Sequence, residues 1–373
     1  MNGFRAALRK IRYSLRTITR GPPSAYVLTK EFIEKHPGDW HQAFDAEIIQ
    51  RKSPIRYGQR AIDLTRRLDT EIPPLGVASL KKGKLIGAQG WAISAEGYFL
   101  AEASWFGRHV QEVMIPRYMM PPRRLKGVCL SLASDFSVKN YGHFLLDCLG
   151  RFGLFLAAGF KPSDVDYIYC PKPFGKTATK VMTDLGIPLS KCIWSDDVAA
   201  VSADIILAPS FPGTRRNYPR WLAEFLQGPY RPAPPRSDRR LYIPRQGTRN
   251  VANQARIIPI LEKYGFEIYD YTKYSDEPSY FSTADMIVGA HGAGLANIVF
   301  CQENTKVLEL IPSDHVHPYF FTLAESARLD YAYLVGDSLG TRPENAYGPS
   351  PFDFCLDEAE FGFAVKQMIS GRG

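Results

Sequence analysis

Met286-Ile-Val-Gly-Ala-His-Gly-Ala-Gly-Leu-Ala-Asn-Ile-Val-Phe300 changes character twice within fifteen residues. Residues 286–289 are apolar and short, as a buried strand is. Glycines 289, 292 and 294 then mark a turn, and residues 293–300 read as a helix. A strand entering a helix through a glycine turn is the repeating unit of an α/β fold with a parallel sheet. Glycines let a ligand approach the backbone, and a helix N-terminus offers N–H groups and the positive end of its dipole. That suits a diphosphate, with the backbone of Gly292, Ala293 and Gly294 as its cradle. The spacing is not the G-x-G-x-x-G of dinucleotide folds, and glycines that merely pack a strand against a helix are the plain alternative. His291 tips the reading toward a ligand, because a histidine between glycines has little apolar surface to pack on.

The same alternation extends outward from this stretch. Residues 241–244, 266–269, 306–311 and 331–335 read as strands. Residues 251–264, 279–282 and 319–327 read as helices. Together they form a Rossmann-like unit over 239–345, followed by a helical tail at 346–373 that could pack back across the domain boundary. Upstream, Tyr230-Arg-Pro-Ala-Pro-Pro-Arg-Ser237 has the composition of an extended spacer and predicts a linker at 230–238. Before it lies a second alternation within a domain at 24–229. Its strands are predicted at 128–133, 165–170, 191–194 and 203–208, and its helices at 141–158 and 175–185. Residues 84–106 read as short β segments, and the polar stretch up to about residue 67 leans helical. The fold class is therefore α/β, two Rossmann-like domains joined by a short linker and facing a cleft. Ligands of such sheets bind at the carboxyl ends of strands, so chemistry is sought at strand-to-helix turns.

Arg245-Gln-Gly-Thr-Arg249-Asn-Val-Ala-Asn253 occupies one such turn. Guanidinium forks grip phosphate bidentately and stay charged at any working pH. Paired arginines can stabilise the growing charge of a departing nucleoside diphosphate without a metal. Glu309 interrupts the apolar strand Val307-Leu-Glu-Leu-Ile311, where a buried carboxylate needs partners and a ribose diol is one candidate. In the first domain, Asn140-Tyr-Gly-His143 opens a helix that Asn140 can cap. His143 and Asp147 share one helix face, and an imidazole beside a carboxylate makes a usable general base. Arg151 lies a further turn along, so an ordinary Asp147–Arg151 ion pair is the bland alternative. Asp196-Asp197 reads as a solvated turn, and no metal site, P-loop, H-E-x-x-H or G-x-S-x-G is indicated.

Bulk numbers agree with a globular chain of 373 residues, 45% hydrophobic and 23% charged. The six cysteines show no C-x-x-C spacing, which argues against a disulfide framework or zinc knuckle. The net charge of +8 is uneven. Six of the 46 basic residues fall in the first twenty positions, which hold no acid, leaving 40 against 38 elsewhere. Phe4, Leu8, Ile11, Leu15 and Ile18 form an apolar stripe between those cations, so residues 1–23 predict a basic amphipathic helix. Residues 1–20 can lie on an anionic membrane surface. A solvated terminus, a first helix of the globule or an organellar presequence would look similar. No stretch spans a bilayer. Nucleic acid is disfavoured as a partner, since the charge is not spread over a folded face.

Taken in order, Asn140-Tyr-Gly-His143 with its downstream acid, Arg245…Arg249…Asn253, Gly289-Ala-His-Gly-Ala-Gly-Leu295 and Glu309-Leu-Ile-Pro312 resemble glycosyltransferase family 61. The resemblance spans roughly residues 85–335. It implies the GT-B architecture and an inverting transfer without metal or other cofactor. The sugar, of the xylose or N-acetylglucosamine type, would pass from a UDP-sugar to a glycan or lipid-linked glycan acceptor. It further implies that the second domain holds the nucleotide-sugar and the first the acceptor. Arg245, Arg249, Asn253, His291, Gly292, Ala293, Gly294 and Glu309 then fall on the donor side, His143 and Asp147 at the chemistry, and Asn140 beside the acceptor. Gln254 stands where the family often has an acid. Animal and plant members carry a membrane anchor. With neither an anchor nor an N-x-S/T site, this sequence reads as a bacterial, cytoplasmic version at the inner membrane face, serving surface polysaccharide synthesis. A polysaccharide pyruvyl transferase-like enzyme and a non-catalytic glycan-binding assembly protein are the competing readings.

Overall fold

The computed structural model describes residues 26–27, 29–101, 103–104, 121–134, 136–273, 276–343 and 349–371. The basic helix expected over residues 1–23 lies outside the described residues. The chain is mixed α/β and divides into two compact units. One comprises Met1–Glu47 and Pro73–Arg215, the other Ile48–Ile72 and Arg216–Gly373. Among the described residues no helix is long and apolar enough to cross a membrane. All six cysteines are free.

In the first unit, β1 (Leu75–Lys81), β2 (Val128–Ser131), β3 (Tyr167–Cys170), β4 (Cys192–Trp194) and β5 (Ile205–Pro209) form one sheet. Its order is β4-β3-β2-β5-β1, with strand Trp40–Phe44 at the edge. Strands β2 to β5 run parallel, while β1 returns antiparallel to β5. Parallel neighbours need crossovers. The helices Leu149–Ala157 and Gly175–Asp184 supply them after β2 and β3. Phe152, Leu154 and Phe155 of the first helix have no exposed surface, which ties the helix to the sheet that it crosses. A second, mixed sheet contains the short segments Lys84–Ile86, Trp91–Ile93 and Phe99–Leu100, where β structure is predicted.

In the second unit, β6 (Arg239–Ile243), β7 (Phe266–Ile268), β8 (Ala284–Ala290), β9 (Lys306–Pro312) and β10 (Asp330–Ser338) are all parallel, in the order β7-β6-β8-β9-β10. The central β8 and β9 are buried nearly end to end, which accounts for their largely apolar sequences. Helix Glu358–Ser370 is capped by Asp357, whose Oδ1 accepts the Glu360 N–H at 2.8 Å, and ends at Gly371 with φ of 68°. Phe361, Ala364, Val365 and Met368 line one face of it. They join Ile257, Leu261 and Leu308 in this unit's own core, each large side chain contributing about 1.5–3 kcal/mol.

Two sequence expectations differ from this arrangement. The stretch read as polar and helix-leaning holds strands Trp40–Phe44, Glu47–Gln50 and Ile55–Tyr57. Trp40–Phe44 and Ile55–Tyr57 pair with partners far along the chain, β1 and β10, so tertiary pairing overrides local composition. The proline-rich segment 230–238 does not mark the division, since it lies within the second unit. It is fastened there by Gln302 Nε2 donating to Pro234 O at 2.9 Å and by Arg231 donating to Gln227 at 2.5 Å.

Candidate functional site

The first unit carries one polar constellation, at the start of the helix that follows β2. Asn140 has extended backbone, and its Oδ1 accepts the His143 N–H at 3.2 Å. This is an N-cap, and it fixes His143 in the first turn. Residues Phe144–Cys148 then form a π-helical turn, a feature often found at functional sites. His143 Nδ1–H donates to Asp147 Oδ2 at 2.7 Å. An ionised carboxylate only accepts, so it favours the tautomer that carries its proton on Nδ1, and in the neutral imidazole the lone pair is then on Nε2. The His143 side chain is 17% exposed and that of Asp147 3%, so the base is reachable and its orienting acid is sheltered. Arg151 does not resemble a surface ion pair. It is fully buried, its guanidinium donates to the carbonyls of Ala103, Ala133 and Pro209, and burial lowers its pKa to about 10. It thereby fastens the loops beyond β2 and β5.

The second unit carries another constellation at the carboxyl ends of β6, β8 and β9. His291 follows β8 directly and is buried, and its Nδ1–H donates to Glu309 Oε1 at 2.5 Å. The other Glu309 oxygen accepts from the Tyr331 hydroxyl. Arg245 donates from Nη1 to His291 O at 3.0 Å, which draws the turn after β6 onto the glycine turn. A Cβ on Gly292 would displace that guanidinium. Arg249 is buried with φ of 60° and donates to Ser350 O at 3.3 Å. Burial, with Arg245 and Arg342 nearby, lowers its pKa to about 10. The loop after β9 adds His315 and His317, their rings 4.3 Å apart and 5.5 and 6.3 Å from His291. Burial, reinforced by His317, Arg249, His291 and Arg342, lowers His315 to about 2. Burial, with His291, Arg216, Arg342 and Arg249, lowers His317 to about 4. The guanidinium charges of Arg245 and Arg249 thus meet at one set of loops, beside two histidines held neutral.

The structure brings Arg245, Arg249, His291 and Gly292 together in the second unit. Ala293 and Gly294 open the 3₁₀ helix Ala293–Phe300 beside them. Two donor-side residues are engaged within the protein. Glu309 is fully buried, one oxygen accepting from His291 and the other from Tyr331. Asn253 donates to Leu356 O at 2.8 Å and accepts the Leu356 N–H at 3.1 Å, which commits its amide to holding the C-terminal segment. Gln254 accepts from the Tyr242 hydroxyl at 3.1 Å. Asn140 caps the helix through its Oδ1. Sequence reasoning missed His315, His317 and Tyr331. Asp314-His315-Val-His317 just beyond an apolar strand was the available signal for the two histidines. Nothing local marked Tyr331.

Residues 141–308 match the family model Glycosyltransferase 61. The matched segment contains His143, Asp147, Arg245, Arg249 and His291. Three proteins of Oryza sativa subsp. japonica are similar over shorter stretches. One alpha-1,3-arabinosyltransferase is 33% identical over 84 residues, 21% of this chain and 14% of that protein. A second alpha-1,3-arabinosyltransferase is 35% identical over 79 residues, 20% of this chain and 14% of its own length. A beta-1,2-xylosyltransferase is 42% identical over 48 residues, 13% of this chain and 9% of its own length.

Proposed function

We propose that this protein is an inverting glycosyltransferase that moves a sugar from a UDP-sugar to a glycan acceptor without a metal ion. The observation that supports the reading is that the segment matching the glycosyltransferase model holds both the sheltered Asp147–His143 couple and, at strand ends, Arg245, Arg249 and His291. Asp147 holds the imidazole in the tautomer whose Nε2 accepts the acceptor hydroxyl's proton as that oxygen attacks the anomeric carbon. The bond to the nucleoside diphosphate breaks on the opposite face, which inverts the centre. Arg245, Arg249 and His291 receive the charge that develops on the leaving diphosphate, with help from the backbone of Gly292 to Gly294. Cationic side chains perform there the service that a divalent ion performs elsewhere. The division of labour follows the GT-B scheme, with the acceptor assigned to the first unit and the donor to the second. The arabinosyl- and xylosyltransferase names of the relatives favour a pentose as the transferred sugar. Residues 1–20 would provide the contact with an anionic membrane at the cytoplasmic face.

The test is a thermal-shift screen with nucleotide-sugars, followed by turnover of variants. UDP should raise the melting temperature equally with and without chelator. His143→Ala should reduce turnover about 10²–10⁴-fold while leaving the UDP shift intact. Wild-type turnover by that variant overturns the base assignment. Absence of any nucleotide response overturns the donor class and favours a pyruvyl transfer instead.

A further inference from the structure

The loop that follows β2 carries a feature that the reaction scheme above leaves unused. Phe136 lies five residues beyond the carboxyl end of that strand, on the side where ligands of parallel sheets bind. Its φ is 64°, a left-handed conformation that glycine and asparagine adopt readily and a bulky aromatic residue rarely does. The conformation is imposed from both sides. Ser137 N–H donates to Ser134 O at 3.3 Å, and the Ser137 hydroxyl donates to the same carbonyl at 2.7 Å. That hydroxyl also accepts the Ser134 N–H at 3.1 Å, and both serines are fully buried. Lys139 N–H then donates to Phe136 O at 3.1 Å and leads into the Asn140 cap. A rigid turn therefore holds a strained residue in place.

The turn does not bury the ring. Phe136 is 52% exposed, one of few large apolar side chains on the described surface to be so. Its centroid lies 5.5 Å from the His143 imidazole, at an interplanar angle of 37°. The left-handed backbone displays an apolar ring at a candidate base, and strained residues of this kind gather at ligand clamps. Among the substrates of a sugar-transferring enzyme, an aromatic face can stack on the donor's nucleobase or on a pyranose, and beside the acceptor-side His143 the pyranose is the match. The C–H face of a pyranose is apolar, flat and about the same size, whereas its hydroxyls point sideways toward polar groups.

We propose that Phe136 is the stacking platform for the acceptor's terminal sugar, which it holds so that a ring hydroxyl reaches Nε2 of His143. The assignment rests on the glycosyltransferase reading and adds to it the residue that binds the acceptor and its chemical class, a pyranose presented face-on. Phe136 contributes no proton transfer. Its work is placement, and it acts in the acceptor's KM rather than on the donor.

The experiment uses the full chain and three variants, Phe136→Asn, Phe136→Trp and Phe136→Ala. Methyl β-D-xyloside, glucoside, galactoside and mannoside, all as pyranosides, are titrated by saturation-transfer NMR, and UDP binding is followed in parallel by thermal shift. At least one pyranoside should bind the wild type and Phe136→Trp, with the ring C–H protons most strongly saturated. Phe136→Ala and Phe136→Asn should lose that binding at least ten-fold while keeping the UDP shift. Asparagine tolerates the left-handed backbone, so Phe136→Asn should melt at or above the wild-type temperature. Equal pyranoside binding by Phe136→Asn, or no binding of any of the four by the wild type, overturns the assignment. So does a melting temperature several degrees lower in Phe136→Asn, because that outcome makes Phe136 a packing residue. If UDP fails to bind but pyranoside binding still depends on Phe136, the donor reading falls and the platform stands.

Discussion

His315 and His317 show how one neighbourhood reverses the usual chemistry of a residue. An imidazole ordinarily titrates near neutrality, yet these two stay neutral well below it because they are buried among Arg249, Arg342 and His291. Ser350 N–H donates to His315 Nδ1 at 3.3 Å, and a protonated Nδ1 could not accept it. The unfolded chain regains ordinary histidines. Between about pH 4 and 6.5 it therefore binds more protons than the native state, and ligand-free stability should fall as pH drops through that window. His317→Asn should remove up to about one proton from the difference, about 1.4 kcal/mol per pH unit. Urea melts at a series of pH values measure the slope, and a slope that the substitution leaves unchanged sinks the account. At this scale the sequence was only partly legible. His291 and the arginines stood out because glycines and strand ends surrounded them. The role of Glu309 did not, since an acid in an apolar strand has many possible partners, and Tyr331 reaches it from another strand.

Elements translate those residues into position. The helix start at Asn140 is where capping, the π-helical turn and the His143–Asp147 pair coincide. Asn140→Ala removes the acceptor of the His143 N–H and should cost about 1 kcal/mol, or a melting shift of about 2–4 °C. Because the cap holds the backbone of His143 itself, turnover should fall more than stability predicts, and Asn140→Asp should restore both. Steady-state kinetics beside calorimetry decide this. Equal turnover in the alanine variant would show that the π turn alone places the imidazole. The parallel strands were legible as elements because burial on both faces leaves largely apolar runs, as in β8 and β9. Strands β1 and Trp40–Phe44 were not, because antiparallel pairing partners distant in sequence decide them. The residues after the glycine turn form a 3₁₀ helix, a distinction that apolar periodicity does not resolve over eight residues.

Across the whole molecule, the net charge of +8 separates into a terminal stripe and local concentrations. The second unit gathers Arg245, Arg249, His291, His315 and His317 around its strand ends, and the first offers one histidine steered by a buried acid. A nucleoside diphosphate should therefore be bound by the second unit. Its free energy should appear as local protection, because a ligand stabilises the segments that must be ordered to bind it. At about 100 times the dissociation constant, UDP should add about 2.7 kcal/mol to the stability of that unit. Hydrogen exchange on the intact chain should slow at residues 245–250, 289–295, 313–317 and 350–356. The last segment is included because Ser350 and Leu356 are held by Arg249 and Asn253. Residues 141–151 should keep their exchange rates, since no positive cluster faces the nucleotide there. Protection confined to 141–151 would move the donor to the first unit and exchange the roles of the two constellations.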